Sequence, residues 1–128
     1  MQAAQITSIY AAILGLMFFA ITLRVALIRM KTGQSLGVGD DQQFEKIMRG
    51  HGNFVETVPM CLILMLLVEQ QGAASLTMHV LGLALLSGRV FHYLQLTGVL
   101  KPLPFRIAGM VLTLGTAVAA SVRLLFGF

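Results

Sequence analysis

Apolar residues along this chain fall into four blocks of near-membrane length, separated by three short polar connections. The blocks run from about Ile6 to Ile28, Gln42 to Val68, Ala73 to Leu96 and Phe105 to Phe126. The second begins amphipathically and turns apolar from Phe54 onward. Each is near the ~20 residues that carry a helix across the hydrocarbon core of a bilayer. The connections, TGQSLGVGDDQQ, EQQGAAS and TGVLKPLP, are rich in turn-forming residues. Links this short make sequential helices antiparallel neighbours. The pattern therefore predicts an all-α fold: one integral membrane domain over residues 1–128, built as an up-down four-helix bundle.

Composition agrees and narrows the function classes. The chain is 57% hydrophobic and 11% charged, with a mean hydropathy of +0.86. A typical soluble domain carries roughly 25% charged residues. Nine Lys and Arg against five acids give a net charge of +4, a small excess that argues poorly for nucleic acid. It is better read as topology. Arg29, Lys31, Lys46 and Arg49 flank the first connection and Lys101 and Arg106 the third, while the second has no basic residue. Positive residues accumulate on the cytoplasmic side, so connections one and three are expected there and both termini outside. No basic residue precedes the first block, which does not read as a cleavable signal peptide. Cys61 is the single cysteine, which leaves no intrachain disulfide and reads as a small buried hydrophobe.

One stretch breaks the apolar pattern. In EKIMRGHGNFVETVP, residues 45–59, Arg49, Asn53 and Glu56 stand at i, i+4 and i+7 where the second block turns apolar. That spacing stacks them on one helix face. A carboxylate in hydrocarbon costs several kcal/mol unless partnered, so an ionisable residue at such depth points to function. A structural ion pair of Glu56 with Arg24 or Arg89 is the alternative. His51, His79 and His92 lack compact ligand spacing with other donors and give no metal site. Ala11 and Gly15, and Gly115 and Ala119, would admit close helix neighbours, and Pro59 would bend its helix.

The pattern E-x-x-x-R-x-H-x-N-x-x-E-x-x-P, carried by Glu45, Arg49, His51, Asn53, Glu56 and Pro59, resembles the signature of the MAPEG family, the membrane-associated proteins in eicosanoid and glutathione metabolism. The segment GRVFHYLQLTGVLKPLPFR, Gly88 to Arg106, is similar to that family's third helix, the turn after it and the arginine opening its fourth helix. The spelling RGHGNFVETVP looks like the bacterial branch. The resemblance implies a homotrimer in the bacterial inner membrane, with glutathione as co-substrate bound between subunits on the cytoplasmic side. It implies peptide-holding roles for Arg49, His51, Asn53 and Glu56, with further contacts from Arg89 and from Arg24 or Arg29. Arg106 matches the arginine that stabilises the thiolate. The partners implied are an apolar, lipid-soluble substrate and membrane lipids. Several active members carry a tyrosine where this chain has Leu96.

Two activities are consistent with these residues: a glutathione transferase or peroxidase acting on apolar electrophiles or lipid hydroperoxides, and a non-catalytic lipid- or glutathione-binding member of the same fold. A proton-coupled multidrug transporter of similar length would need a glutamate in its first span, where this chain has Arg24 and no acid.

Overall fold

The computed structural model describes residues 4–127 and holds four helices: α1 (Gln5–Thr32), α2 (Gln42–Gln70), α3 (Ser75–Leu96) and α4 (Pro104–Phe126), with no strand among the described residues. The four apolar blocks are thus four helices. The main difference in extent is at α1, which continues past Ile28 through RMKT. It stops where Gly33 takes φ 70° and its N–H bonds the Arg29 carbonyl, a left-handed closure that glycine adopts without steric cost. α2 starts where the Asp41 side chain accepts the Phe44 N–H at 2.9 Å, satisfying a donor that the first helical turn leaves open. It continues unbroken through Pro59. α4 opens on Pro104, whose fixed φ suits a first helical position.

By length and hydropathy, α1, α2 and α4 can each cross a bilayer. α3 spans about 33 Å at ~1.5 Å per residue, but His79, Arg89 and His92 interrupt its apolar run. Eight of its 22 residues are buried, against five of 28 in α1. α3 is an inner helix that buries Arg89 and His92, while the exposed His79 keeps one protein partner in Tyr10. α2 packs on all three other helices and α3 does the same, while α1 and α4 flank them without touching. The main core joins Leu14 and Ile21 of α1, Phe54, Val58, Cys61 and Met65 of α2, and Met78, Leu81 and Leu85 of α3. Large apolar side chains such as Leu16, Leu76 and Leu125 point outward, as lipid-facing positions do.

Two glycines set the α3–α4 spacing. A Cβ added at Gly109 would stand 2.6 Å from the Gly88 carbonyl oxygen and 2.8 Å from the His92 nitrogen. Backbone therefore touches backbone at this crossing. Gly15 and Gly115, expected from the sequence to admit a neighbouring helix, meet none within the chain itself.

The two ends of the bundle are tied differently. At the end bearing connections 33–41 and 97–103, the Gln43 side chain donates to the Thr97 carbonyl at 2.8 Å. Arg29 donates to the Gln34 and Gly37 carbonyls at 2.8 and 3.0 Å and lies 5.1 Å from the centre of the Phe44 ring. At the opposite end, both Glu69 oxygens accept N–H groups of the first turn of α1, and the Tyr10 hydroxyl meets His79 Nδ1 at 3.1 Å.

Candidate functional site

At the end closed by the longer connections, α2, α3 and α4 diverge around a cleft of about 590 Å³. This falls within the range of small-molecule sites. α2 supplies one wall through Glu45, Lys46, Met48, Arg49, Gly52, Asn53 and Glu56. α3 contributes His92 and Leu96, and the first turn of α4 contributes Arg106. The i, i+4, i+7 face of α2 is thus the face turned to the cleft. Three cations, Lys46, Arg49 and Arg106, stand around it with two acids, Glu45 and Glu56. A neighbouring hollow of about 340 Å³ shares Lys46, Leu96 and Arg106 and adds Lys101. The surroundings are net positive, with carboxylates at defined points. This arrangement suits a guest that carries both signs of charge and more negative than positive groups.

Arg49, Glu56 and Arg106 are exposed and Asn53 is half-buried. Solvent therefore reaches the charged groups while the amide is held. The holding group is Arg89, 2% exposed, which donates through Nη1 to Asn53 Oδ1 and to Thr57 Oγ1 at 3.2 Å. Its Nε donates to Thr113 Oγ1 at 2.7 Å and its Nη2 to the Gly109 carbonyl at 3.2 Å. Arg89 does not line the cleft; it stands behind Asn53. Its acceptors are all groups other than Glu56, so the alternative ion pair between these two residues is not the arrangement found. Arg24 likewise donates to the Tyr93 hydroxyl at 3.3 Å.

Of the residues singled out from the sequence, Arg49, Asn53, Glu56 and Arg106 converge on this cleft. His51, Arg24 and Arg29 do not line it within the single chain. His51 Nε2 pairs with Thr22 Oγ1 at 3.1 Å and its ring stacks on Phe18 at 6.0 Å, both residues of α1. The reason is angular: two residues past Arg49, at ~100° per residue, turn His51 to the far side of α2. Arg29 is engaged in bracing the first connection. His92 and Lys46, not assigned to the site from the sequence, do line it. His92 lies four residues before Leu96 and three after Arg89, the spacing of one continuous helix face, and that signal was available. Among the described residues, no group of three or more His, Cys, Asp or Glu could hold a metal ion.

A family model described as MAPEG family matches residues 7–126. Two relatives, each called Inner membrane protein YecN, come from Escherichia coli strain K12 and from Escherichia coli O6:H1. Each is 33% identical over 89 residues, covering 70% of this chain and 68% of the relative. With the match extending through all four helices, three of them long and apolar enough to cross a bilayer, the chain is an integral membrane protein of the MAPEG family.

Proposed function

We propose that this protein is a glutathione transferase, with peroxidase activity toward lipid hydroperoxides, in a bacterial inner membrane. The observation that carries the reading is the convergence of Arg49, Asn53 and Glu56 of α2 with Arg106 of α4 on one cleft. Glutathione has two carboxylates, one ammonium and a thiol. Arginine forks match carboxylates, a glutamate matches the ammonium, and a further cation is left for the sulfur. In this reading the cleft opens to the cytoplasm, three subunits assemble, and glutathione lies between neighbours. Arg24, Arg29 and His51, which lie outside the cleft of a single chain, would reach glutathione only through such an assembly.

A thiol with an ordinary pKa of about 8.5 is only slightly ionised at neutral pH. Lowering that value by ~2 units takes about 2.7 kcal/mol of preferential stabilisation of the thiolate. A guanidinium about 4 Å from the sulfur supplies roughly 4 kcal/mol at an effective dielectric near 20, before desolvation is subtracted. A single cation so placed, the role proposed here for Arg106, is enough in principle. The thiolate then attacks the electrophilic carbon of an apolar substrate, displacing its leaving group, and a membrane site meets such substrates at high local concentration.

Leu96 on the cleft wall supports a second reading, a member that binds glutathione or lipid without turnover. The purified protein, supplied with glutathione and a chloro-nitrobenzene, separates the two. Conjugate formation supports the transferase, and binding by calorimetry without conjugate supports the second reading. Neither turnover nor binding sinks both as glutathione functions.

A further inference from the structure

On another side of the bundle, between α1 and α3, Arg24 and Tyr93 border a hollow of about 240 Å³ whose remaining lining, Met17, Ala20 and Ile21, is apolar. Those three residues stand seven, four and three positions before Arg24, so one face of α1 carries an apolar strip that ends in a guanidinium. Tyr93 follows His92, which lines the cleft, and the ~100° step between consecutive helical residues turns it to α1 instead. The hollow is therefore separate from the cleft.

Arg24 is half-buried, and its Nη1 donates to a neutral group, the Tyr93 hydroxyl, at 3.3 Å. The acids of the chain are placed elsewhere. Glu45 and Glu56 border the cleft, Asp41 caps α2 and Glu69 caps α1 at the opposite end. Asp40 stands in the connection after α1. The Arg24 charge is thus hydrogen-bonded without being neutralised. Tyr93 accepts from Arg24, and its own hydroxyl proton has no acceptor among the described residues. The ring that carries this hydroxyl is held in place, because a Cβ added at Gly50 of α2 would stand 2.8 Å from Tyr93 Cδ2. Two donors, one of them charged, consequently meet at the head of an apolar strip. Tyr93 lies three residues before the end of α3, about 4.5 Å at ~1.5 Å per residue. The donors are therefore near the rim of the bundle, at the end bearing connections 33–41 and 97–103.

We propose that this hollow binds an anionic phospholipid of the surrounding membrane. The phosphodiester accepts from the Arg24 guanidinium and the Tyr93 hydroxyl, and one acyl chain lies along Ile21, Ala20 and Met17. The uncompensated cation and the free hydroxyl proton call for an anion. The strip running from them toward the middle of α1 calls for hydrocarbon attached to that anion. A bilayer lipid carries both, with its head at the depth that a long basic side chain near a span end reaches. This assigns Arg24 to lipid, so the inference stands apart from the glutathione reading, which rests on the cleft.

Native mass spectrometry of the detergent-purified protein, offered equal amounts of dioleoyl phosphatidylglycerol and dioleoyl phosphatidylcholine, tests the assignment. The wild type should retain phosphatidylglycerol about tenfold more strongly, the factor that one charge-assisted hydrogen bond supplies. Arg24→Gln, which keeps a donor for Tyr93 and removes the charge, should lose most of that preference. Tyr93→Phe should lose part of it, and Arg24→Lys should keep part of it. Ala20→Phe, which fills the hollow and leaves the charge, should weaken retention of both lipids. Lys31→Gln, the same loss of charge at an exposed position of α1, should leave the preference intact. An equal fall in Lys31→Gln and Arg24→Gln would reduce the effect to general attraction between a basic end and acidic lipid, and overturns the site. A wild type without preference does the same. Inorganic phosphate should not raise the wild-type melting temperature above that of Arg24→Gln, and such a rise would give the hollow to a free anion instead. A changed subunit number in Arg24→Gln would make the hollow a contact between copies and likewise overturns the lipid assignment. If Arg24→Gln does not fold, Arg24→Lys and Ala20→Phe decide, and wild-type retention by both overturns the inference.

Discussion

Glu69 Oε1 accepts the backbone N–H of Ile6 at 2.8 Å, and its second oxygen takes that of Thr7 at the same distance. The last turn of α2 therefore caps the first turn of α1, which has Ala4 at its N-cap and no acid of its own. Replacing a capping side chain by alanine typically costs about 1 kcal/mol, up to ~2. Glu69→Ala should lose that much, and Glu69→Gln, which keeps one oxygen acceptor, less. Amide hydrogen exchange at Ile6 and Thr7 should accelerate in step. Unchanged protection of those two amides would show that the cap contributes nothing.

Gly109→Ala should be poorly tolerated, because the new methyl meets backbone on α3 rather than a side chain able to rotate away. Overpacking of this kind costs about 1–3 kcal/mol. Since Gly109 lies three residues along α4 from Arg106, the same shift should move the arginine relative to α2. Activity should fall by more than the loss of folded protein accounts for. Gly115→Ala, made in open space on the same helix, should change neither stability nor activity.

Arg106→Ala should cut conjugation at neutral pH about 100-fold, the factor corresponding to ~2 units of thiol pKa. The direction with pH follows from the sign. In the proposed role the cation lowers the bound thiol's pKa, so the wild type would already be ionised near neutrality, whereas the variant would gain thiolate only as pH rises through about 8.5. The deficit should therefore shrink toward alkaline pH. A deficit constant from pH 6.5 to 9.5 would remove Arg106 from thiolate stabilisation.

Leu96→Tyr places a phenol on the cleft wall, at the position where the family resemblance leads one to expect a tyrosine. One added hydrogen bond contributes roughly 0.5–1.5 kcal/mol, so glutathione should bind two- to tenfold more tightly, as read by calorimetry. Equal affinity would mean that the cleft does not direct its guest toward α3 at this level.

Much of the fold was legible from the apolar blocks, because four stretches near membrane length with short links leave few arrangements. The α2 face was legible for the same periodic reason: Arg49, Asn53 and Glu56 share a side whatever α2 packs against. What spacing along one helix does not carry is the meeting of helices. Arg89 and Asn53 are 36 residues apart, and their contact depends on how α3 is rotated against α2. Without that rotation, an arginine behind the cleft reads like one inside it. His92 shares the helical spacing of Arg89 and Leu96, but only the packing of α3 beside α2 and α4 shows that His92 borders the cleft. For His51 the helix period already contained the angular offset that turns it from the cleft of its own chain toward α1.

The length of α2 has a final consequence. Its 29 residues extend about 43 Å at ~1.5 Å each, well beyond the ~30 Å of hydrocarbon. Its apolar part begins at Phe54, so the excess belongs to the polar stretch that walls the cleft. On the proposed reading the cleft would stand at a phase boundary, where a water-soluble reagent would enter along the polar stretch and a lipid-soluble one would arrive from the bilayer. Neither would then have to leave its preferred solvent before the two meet. The helix would then work as a plank laid across the interface, its overhang setting where the two phases exchange material.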